Sequence, residues 1–145
     1  MQTFQPTRSA RRSAFTLAEL MVVIVIIGLL ATLVVPNVVA KLAAASSKKA
    51  VADITTISGA IEEYTINNNG RYPDSLDVLI QEDERGYKIL NRDTLPKDPW
   101  GNEYYYEPPV GGGQNFIVGS YGKDGIPGGE GDNADITNVT IREGS

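Results

Sequence analysis

The residues best suited to chemistry are the acidic side chains of a glycine-rich segment near the C-terminus, residues 120–136. The chain has no His and no Cys, so the commonest general base, thiol nucleophiles and the usual transition-metal ligands are all missing. Five glycines occur between Gly122 and Gly131, and ordering them costs chain entropy while converging carboxylates repel one another. A bound cation would offset both effects, and Ca²⁺ prefers six to eight oxygen ligands of this kind. A disordered, solvated acidic loop is the other interpretation, because the spacing does not fit an EF-hand.

A second candidate is one carboxylate, Glu19, at the start of an apolar stretch. Residues 20–40 carry no charge and are about long enough to cross a bilayer. A carboxylate inside a spanning helix is costly at the centre and less so near the membrane surface. Glu19 therefore either lies at the interface near the positive end of the helix or pairs with a cation. A cut between Ala14 and Phe15 would supply that cation, as an α-amino group on the same or a neighbouring subunit.

The segment before the apolar stretch is polar and basic. Residues 1–14 contain Arg8, Arg11 and Arg12 and no acidic residue, so the positive-inside rule keeps them in the cytoplasm. An uncleaved signal anchor fits this pattern. A secretory signal cleaved after the apolar run fits less well, because the run is too long and no A-x-A site precedes the polar sequence.

These residues carry a family resemblance. The segment FTLAELMVVIVIIGLLATLVVPNVVAK after a basic leader resembles the class III signal of type IV pilins and type II secretion pseudopilins. The resemblance implies cleavage between Ala14 and Phe15 by prepilin peptidase and N-methylation of Phe15. It also implies assembly roles for Glu19, Gly28 and Pro36, the last two in a stretch that partly unwinds in a filament. The family has Gly before the cut, and Ala14 is the nearest substitute in size.

The sequence beyond the apolar run predicts that the same helix continues. Ala50, Ile54, Ile57, Ile61 and Tyr64 recur at spacings of three and four, which places them on one helix face. Internal Gly59 weakens a helix without ending it, and the Asn-Asn-Asn-Gly run at residues 67–70 is a strong stop signal. The pattern predicts a helix from residue 15 to about residue 66.

The remaining residues predict a small α+β domain. Leu76, Leu79 and Ile80 are spaced for a short helix with Asp74 as its N-cap. Residues 104–106 and 116–118 read as two strands of a hairpin, and residues 139–141 as a third. Trp100 is expected to anchor the core.

Two further segments resemble the major pseudopilins of type II secretion systems. These are Pro-Lys-Asp-Pro-Trp-Gly at residues 96–101 and the glycine-rich segment with its Ala-Asp-Ile ending. The resemblance implies that the segment is a calcium loop. The side chains of Asp124 and Asp135 would bind Ca²⁺, together with either Asp132 or Asn133. The backbone carbonyls of Tyr121 and Ile126 would complete the site.

The resemblance implies an organisation and a function. Residues 1–14 are a cleaved cytoplasmic leader, residues 15–40 a transmembrane and filament-core helix, and residues 41–145 a periplasmic head with a pilin-like fold. The chain would be a single-pass inner-membrane protein that polymerises with itself into a periplasmic pseudopilus and drives export of folded proteins. Its other partners would be the minor pseudopilins, the inner-membrane assembly platform and prepilin peptidase.

Other functions are less compatible with the sequence. A net charge of −5 without a large basic cluster argues against nucleic-acid binding. A type IV pilus subunit is the nearest alternative, but many of those close a C-terminal loop with a disulfide and this chain has no Cys. A membrane-tethered hydrolase using Asp124 and Asp135 lacks a recognisable nucleophile or phosphate-binding loop. The chain is therefore predicted not to be an enzyme.

Overall fold

The structure, a computed structural model, describes residues 15–111, 113 and 115–144. It contains two compact units, the first ending at Val39 and the second beginning at Ala40. Helix α1, Leu17–Asn67, contributes residues to both units. The predicted leader, with Ala14 at the predicted cleavage site, lies outside the described residues.

The first unit contains the apolar part of α1. This helix begins at Leu17, two residues later than predicted, and continues through Pro36. Its most apolar window has a mean hydropathy of 2.8 and is 0% buried, so by length and composition the helix is able to cross a membrane. Large apolar side chains such as Leu33, at 69% exposure, therefore need lipid or other protein to cover them.

The second unit is organised around the remainder of α1. The predicted stripe is confirmed, because Ile54, Ile57 and Ile61 are almost completely buried in the hydrophobic core. Gly59 lies inside the helix without ending it. The Asn-Gly stop signal is also confirmed: the helix ends at Asn67, and Gly70 adopts a φ of 85°. The Gly70 amide donates to the carbonyl of Thr65 at 2.8 Å, which closes the helix end.

A three-stranded antiparallel sheet faces this helix across the core. Its strands are β1 (Tyr105–Glu107), β2 (Ile117–Ser120) and β3 (Ile136–Thr137), in the order β1-β2-β3. Gly119 in the central strand pairs with Tyr105 on one side and Thr137 on the other. Phe116 and Val118 pack in the same buried cluster as the α1 isoleucines. The predicted α+β fold, a long helix on a small antiparallel sheet, is confirmed.

Two local predictions are wrong. The short helix predicted after Asp74 is present as a 3-10 helix, Leu76–Ile80, but its N-cap is Ser75 and not Asp74. The predicted strand at residues 139–141 lies within helix α2, Asn138–Glu143. The Thr137 and Thr140 side chains each accept from the other's backbone amide, and this capping box starts a helix despite the β-branched residues that follow.

The prediction that Trp100 anchors the core is also wrong. Trp100 is half-buried and does not belong to the core cluster, whose aromatic members are Tyr104 and Phe116. Asp98, two residues earlier, is the buried residue of this turn at 4% exposure. The turn therefore directs a carboxylate, and not the indole, into the protein.

Candidate functional site

The predicted assembly carboxylate has partners on its own chain. Oε2 of Glu19 accepts hydrogen bonds from the backbone amide of Thr16 at 2.8 Å and from the Thr16 hydroxyl at 2.9 Å. The Glu19 amide donates back to the Thr16 hydroxyl at 3.2 Å. This is a reciprocal capping box at the first turn of α1, and it satisfies donors that a helix start leaves unpaired. The Thr-x-x-Glu spacing is its sequence signature, which the sequence reasoning missed.

The other predicted assembly residues lie along the same exposed helix. Phe15 precedes the capping box and is 80% exposed. A β-carbon added at Gly28 would meet nothing within 4 Å outside the helix itself. Pro36 removes the amide that would bond the Thr32 carbonyl, and the Asn37 carboxamide donates to the next carbonyl, that of Leu33, at 3.1 Å. Helix α1 therefore lacks one backbone hydrogen bond at this position.

The glycine-rich segment begins at a buried hydrogen-bond network centred on Asp98. Its Oδ1 accepts from the backbone amides of Trp100 at 3.1 Å and Asn102 at 2.7 Å, and its Oδ2 accepts from the Ser120 hydroxyl at 2.6 Å. The Ser120 hydroxyl in turn accepts from the Gly122 amide at 3.1 Å. The Asn102 carboxamide donates to the Gly122 carbonyl, also at 3.1 Å. Both backbone groups of Gly122, at the start of the loop, are therefore fixed by hydrogen bonds to this network.

The loop then closes on itself. The Lys123 amide donates to the Asp132 carbonyl at 2.9 Å. Gly122 and Gly129 both have positive φ values, and a β-carbon on either would lie under 3.0 Å from the backbone of Asn133. Only glycine permits so close an approach of two chain segments. Glycine is therefore required at these two positions for steric reasons, which the composition of the loop alone does not reveal.

The predicted calcium ligands are distributed around this closed loop. Both carboxylate oxygens of Asp135 accept from the Gly128 amide, at 3.0 and 3.1 Å, and Oδ1 of Asp124 accepts from the Ile126 amide at 3.3 Å. Within the described part of the chain, the side chains of Asp132 and Asn133 have no hydrogen-bond partner. A carboxylate has more lone pairs than these contacts use, so oxygen donors are available.

All the predicted ligands in this loop are oxygen donors. Among the described residues there is no group of three or more Asp or Glu side chains positioned as metal ligands. A cation here would consequently need amide and backbone oxygens beside the carboxylates, which suits Ca²⁺ and not a transition metal.

Two tyrosines lie beside the loop. The rings of Tyr105 and Tyr121 stack with centroids 4.2 Å apart and an interplanar angle of 8°. Burial, together with the nearby Tyr121 and Asp135, raises the pKa of Tyr105 to about 12. Asp135, near the C-terminal end of the loop, therefore interacts electrostatically with Tyr105 of strand β1.

The C-terminal end of the domain is held by one buried amide side chain. Asn138 accepts from the Val118 amide at 3.1 Å and donates to the Phe116 carbonyl at 3.0 Å, so it occupies the edge of β2 beyond the end of β3. Residues 138–140, Asn-Val-Thr, match the acceptor sequence for N-glycosylation. Asn138 is only 5% exposed, so its side chain is not accessible for glycosylation in the folded domain.

Comparison with known families decides between the pseudopilin and pilin interpretations. The family model described as "Type II secretion system (T2SS), protein G" matches residues 37–139, most of the chain. The chain belongs to the type II secretion system protein G family. The model of the prokaryotic N-terminal methylation motif matches residues 9–35, which include the predicted cleavage site and the first part of α1.

Individual relatives agree with this assignment. The type II secretion system core protein G of Vibrio cholerae is 40% identical over 143 residues, covering 92% of this chain and 95% of the relative. The protein of the same description from Pseudomonas aeruginosa is 40% identical over 137 residues, covering 88% and 95%. The crystal structure of the major pseudopilin of enterohaemorrhagic Escherichia coli is similar with a TM-score of 0.51 and 29% identity, covering 67% of this chain and 85% of that one.

These comparisons confirm the predicted major pseudopilin family and the pseudopilin function within type II secretion. They do not support the alternative of a type IV pilus subunit. Assembly into a pseudopilus with other components of the secretion system follows from the family. The cleavage site, the roles of individual residues and the calcium ligands stay predictions.

Proposed function

We propose that this protein G family chain is a non-catalytic subunit that leaves the membrane to enter a periplasmic pseudopilus made mainly of copies of itself. The observation that carries the proposal is the uncovered apolar surface of α1 up to Val39. Lipid covers such a surface before assembly, and the equivalent helices of neighbouring subunits can cover it afterwards. The two environments are similar in polarity, so transfer between them is possible without unfolding the helix as a whole.

The N-terminus would change its chemistry during this process. Cleavage between Ala14 and Phe15 creates a positive α-amino group one residue before Thr16, and N-methylation leaves that group able to carry its charge. The Glu19 carboxylate already faces the amide of Thr16 at 2.8 Å, so the new amine would appear next to its existing partners. Pairing with the amine of the same or a neighbouring subunit would compensate the charge of Glu19 inside a helix bundle.

The three arginines before the cleavage site favour an inner-membrane protein with a cytoplasmic N-terminus and a periplasmic head. Prepilin peptidase would act on the cytoplasmic side. The inner-membrane assembly platform would then lengthen the filament, in which the minor pseudopilins would be further partners. In this mechanism the growing filament moves folded proteins outward, and the chain contributes mechanical force and no bond chemistry.

The glycine-rich loop would bind Ca²⁺ and stabilise the head. Asp124 and Asp135 would supply carboxylate oxygens, Asp132 or Asn133 a further oxygen, and Tyr121 and Ile126 their backbone carbonyls. The self-closed loop and the available side-chain oxygens support this assignment. A bound ion would neutralise charge repulsion among the carboxylates and oppose opening of the loop.

Mass spectrometry of the full-length chain expressed with a type II secretion system tests the proposal. The expected mature protein begins with methylated Phe15. An intact Met1 in the assembled protein, or a cut near residue 40, would contradict the proposed processing.

Affinity purification from membranes addresses the mechanical role. It should recover a homopolymer whose formation is needed for secretion. If the chain is recovered only as a monomer while secretion is normal, the polymerisation proposal fails.

A further inference from the structure

The second unit has an open groove of about 500 Å³ between the 3-10 helix Leu76–Ile80, α1 and the start of the sheet. Its apolar lining includes Ile57, Leu76, Leu95 and Tyr104, of which all but Leu95 belong to the buried core. The groove therefore gives outside molecules access to the edge of the hydrophobic core. Such an apolar depression is a suitable site for one large aliphatic side chain.

The groove is strongly acidic. Four carboxylates line it, those of Asp74, Asp77, Asp93 and Glu103, against the single ammonium group of Lys97. Asp93 forms an ion pair with Lys88 at 3.2 Å. Within the described part of the chain, the other three carboxylates have no ion pair. An apolar lining with uncompensated negative charge selects a ligand that is both aliphatic and basic.

The same chain carries a segment with the complementary character. On α1, before the buried stripe begins at Ala50, Leu42 is 67% exposed, and Lys41 and Lys48 of the same segment are exposed as well. Among the described residues, neither lysine has an ion-pair partner, whereas Lys49 is paired with Asp53. Lys41 and Lys48 are seven residues apart, two helical turns and about 10 Å, so their ammonium groups lie on one face of α1, and Leu42 lies about a quarter turn round the helix from them.

We propose that the acidic groove binds residues 41–49 of a second copy of this chain. Leu42 of that copy would cover the apolar lining, and its Lys41 and Lys48 would pair with the groove carboxylates. The proposal rests on the proposed function, because assembly into a pseudopilus brings copies together. Beyond that function, the proposal specifies the two surfaces that come into contact between neighbouring copies.

The arrangement of the two surfaces favours a filament. The groove and the basic segment are different patches of the same chain, so a contact between them is heterologous. A heterologous contact leaves one free groove and one free segment at the ends of every oligomer, and such contacts extend into open helical assemblies unless they close into rings. An exported protein with a basic, aliphatic segment could also enter the groove, and the experiment below separates the two occupants.

Disulfide cross-linking in the full-length chain is the direct test, because the native sequence contains no Cys to interfere. Cells would co-express chains carrying Lys48→Cys with chains carrying Asp77→Cys, and oxidation should join the two kinds. The matched control replaces Asp77→Cys by Glu84→Cys, an exposed acidic position outside the groove. Cross-linking to the Glu84 position as efficiently as to the Asp77 position, or to neither, would overturn the proposal.

Charge reversal gives an independent test. Chains with Asp74→Lys and Asp77→Lys, and chains with Lys41→Glu and Lys48→Glu, should each form roughly three- to tenfold fewer filaments. A chain that combines all four reversals should recover filament formation, because the attraction is restored with its direction exchanged. Failure of the combined chain to recover, while its thermal unfolding is unchanged, would contradict the pairing.

The outcome also distinguishes this inference from the proposed function. If the wild-type chain forms filaments but the Lys48→Cys and Asp77→Cys chains do not cross-link, the groove contact is removed and polymerisation stays intact. No wild-type filaments at all would remove the proposed function. Groove variants that assemble normally but fail to secrete, or that cross-link to an exported protein, would show that the groove binds cargo and not a second copy.

Discussion

The hydroxyl of Ser120 donates a 2.6 Å hydrogen bond to Oδ2 of Asp98, and both residues are almost inaccessible to water. The bond joins the last residue of β2 to a turn 22 positions earlier. Since the other oxygen of Asp98 accepts two backbone amides, this carboxylate satisfies three donors in the protein interior. Asp98 is thus the link between the turn before the sheet and the entry to the glycine-rich loop.

Replacing Asp98 should therefore destabilise the second unit. Asp98→Ala leaves the Ser120 hydroxyl and two amides without their acceptor, and we expect the free energy of unfolding to fall by about 2–3 kcal/mol. Ser120→Ala should cost less, because it removes one donor and leaves the two amide bonds intact. Urea denaturation of the full-length chain in detergent measures both, with exposed Glu84→Ala as the control. A fall no larger than that of the control would contradict the role of Asp98.

Calcium removal should lower the thermal stability of the chain. An ion present at about 100 times its dissociation constant stabilises the folded state by about 2.7 kcal/mol, which corresponds to several degrees in the unfolding midpoint. Chelation should remove this increment, and Asp124→Ala should abolish the response to Ca²⁺. Glu130→Ala is the matched control, since Glu130 is an acidic residue of the same loop outside the predicted ligand set. Identical midpoints with chelator and with excess Ca²⁺ would eliminate the metal site.

Substitutions of Glu19 can separate helix capping from charge pairing. Glutamine can still accept the Thr16 hydrogen bonds of the capping box, but it has no charge to pair with an α-amino group. We expect Glu19→Gln to reduce filament formation as strongly as Glu19→Ala, because the charge is what assembly requires. Filament yield from membranes is the measurement. If the glutamine variant assembles like the wild type, capping alone explains the residue.

Alkaline pH should weaken the fold through the tyrosines around the sheet. Burial raises the pKa values of Tyr105 and Tyr106 to about 12, from an ordinary value of 10.0. Below pH 10 both folded and unfolded chains keep these phenols protonated, so their contribution is constant. Between about pH 10 and 12 the unfolded chain loses protons that the folded chain retains, and stability falls as pH rises.

Denaturation across this pH range, with phenolate absorbance followed in parallel, checks the expectation. Tyr105→Phe should flatten the stability loss, because one of the shifted groups is removed. Tyr87→Phe should flatten the loss as well, because the hydrogen bond to Glu63 raises the pKa of this phenol outside the sheet. A stability curve that is level between about pH 10 and 12 would be inconsistent with protected tyrosines in the sheet.

Two glycines should respond oppositely to alanine. A β-carbon at Gly119 would lie 2.7 Å from the Ile136 carbonyl oxygen and 2.9 Å from the Tyr105 hydroxyl, so Gly119→Ala should cost about 1–3 kcal/mol. A β-carbon at Gly59 meets nothing within 4 Å outside its helix, and Gly59→Ala should add up to about 1 kcal/mol. Thermal unfolding of the two variants side by side gives the comparison. A tolerated Gly119→Ala would disprove the close strand packing.

Local patterns in the sequence predicted the main elements well. The spacing of Ile54, Ile57 and Ile61 located the buried face of α1 because helical periodicity is a property of neighbouring residues. The glycine after the asparagine run marked the end of the helix for a similar reason. The hairpin of β1 and β2 was predicted to within two residues at each end.

Two features were missed for different reasons. Residues 139–141 have strand-forming side chains, and the helix that they adopt starts at the local capping box of Thr137 and Thr140, which is not the usual Ser/Thr-x-x-Glu pattern. The bond between Asp98 and Ser120 could not be predicted because it requires the register between two separate segments. An Asp before a tight turn does signal side-chain bonding to its own backbone, so part of the network was within reach of sequence reasoning.

The contact of Asn138 with Phe116 and Val118 has a consequence for biosynthesis. The central strand obtains its second neighbour, β3, and the hydrogen bonds of the Asn138 side chain only from residues 136–138. A polypeptide that stops before this point leaves the Val118 amide and the Phe116 carbonyl without partners in the interior. The head can therefore complete its folding only after residues 136–138 have been synthesised, and truncated products that lack them expose their incomplete sheet to proteases.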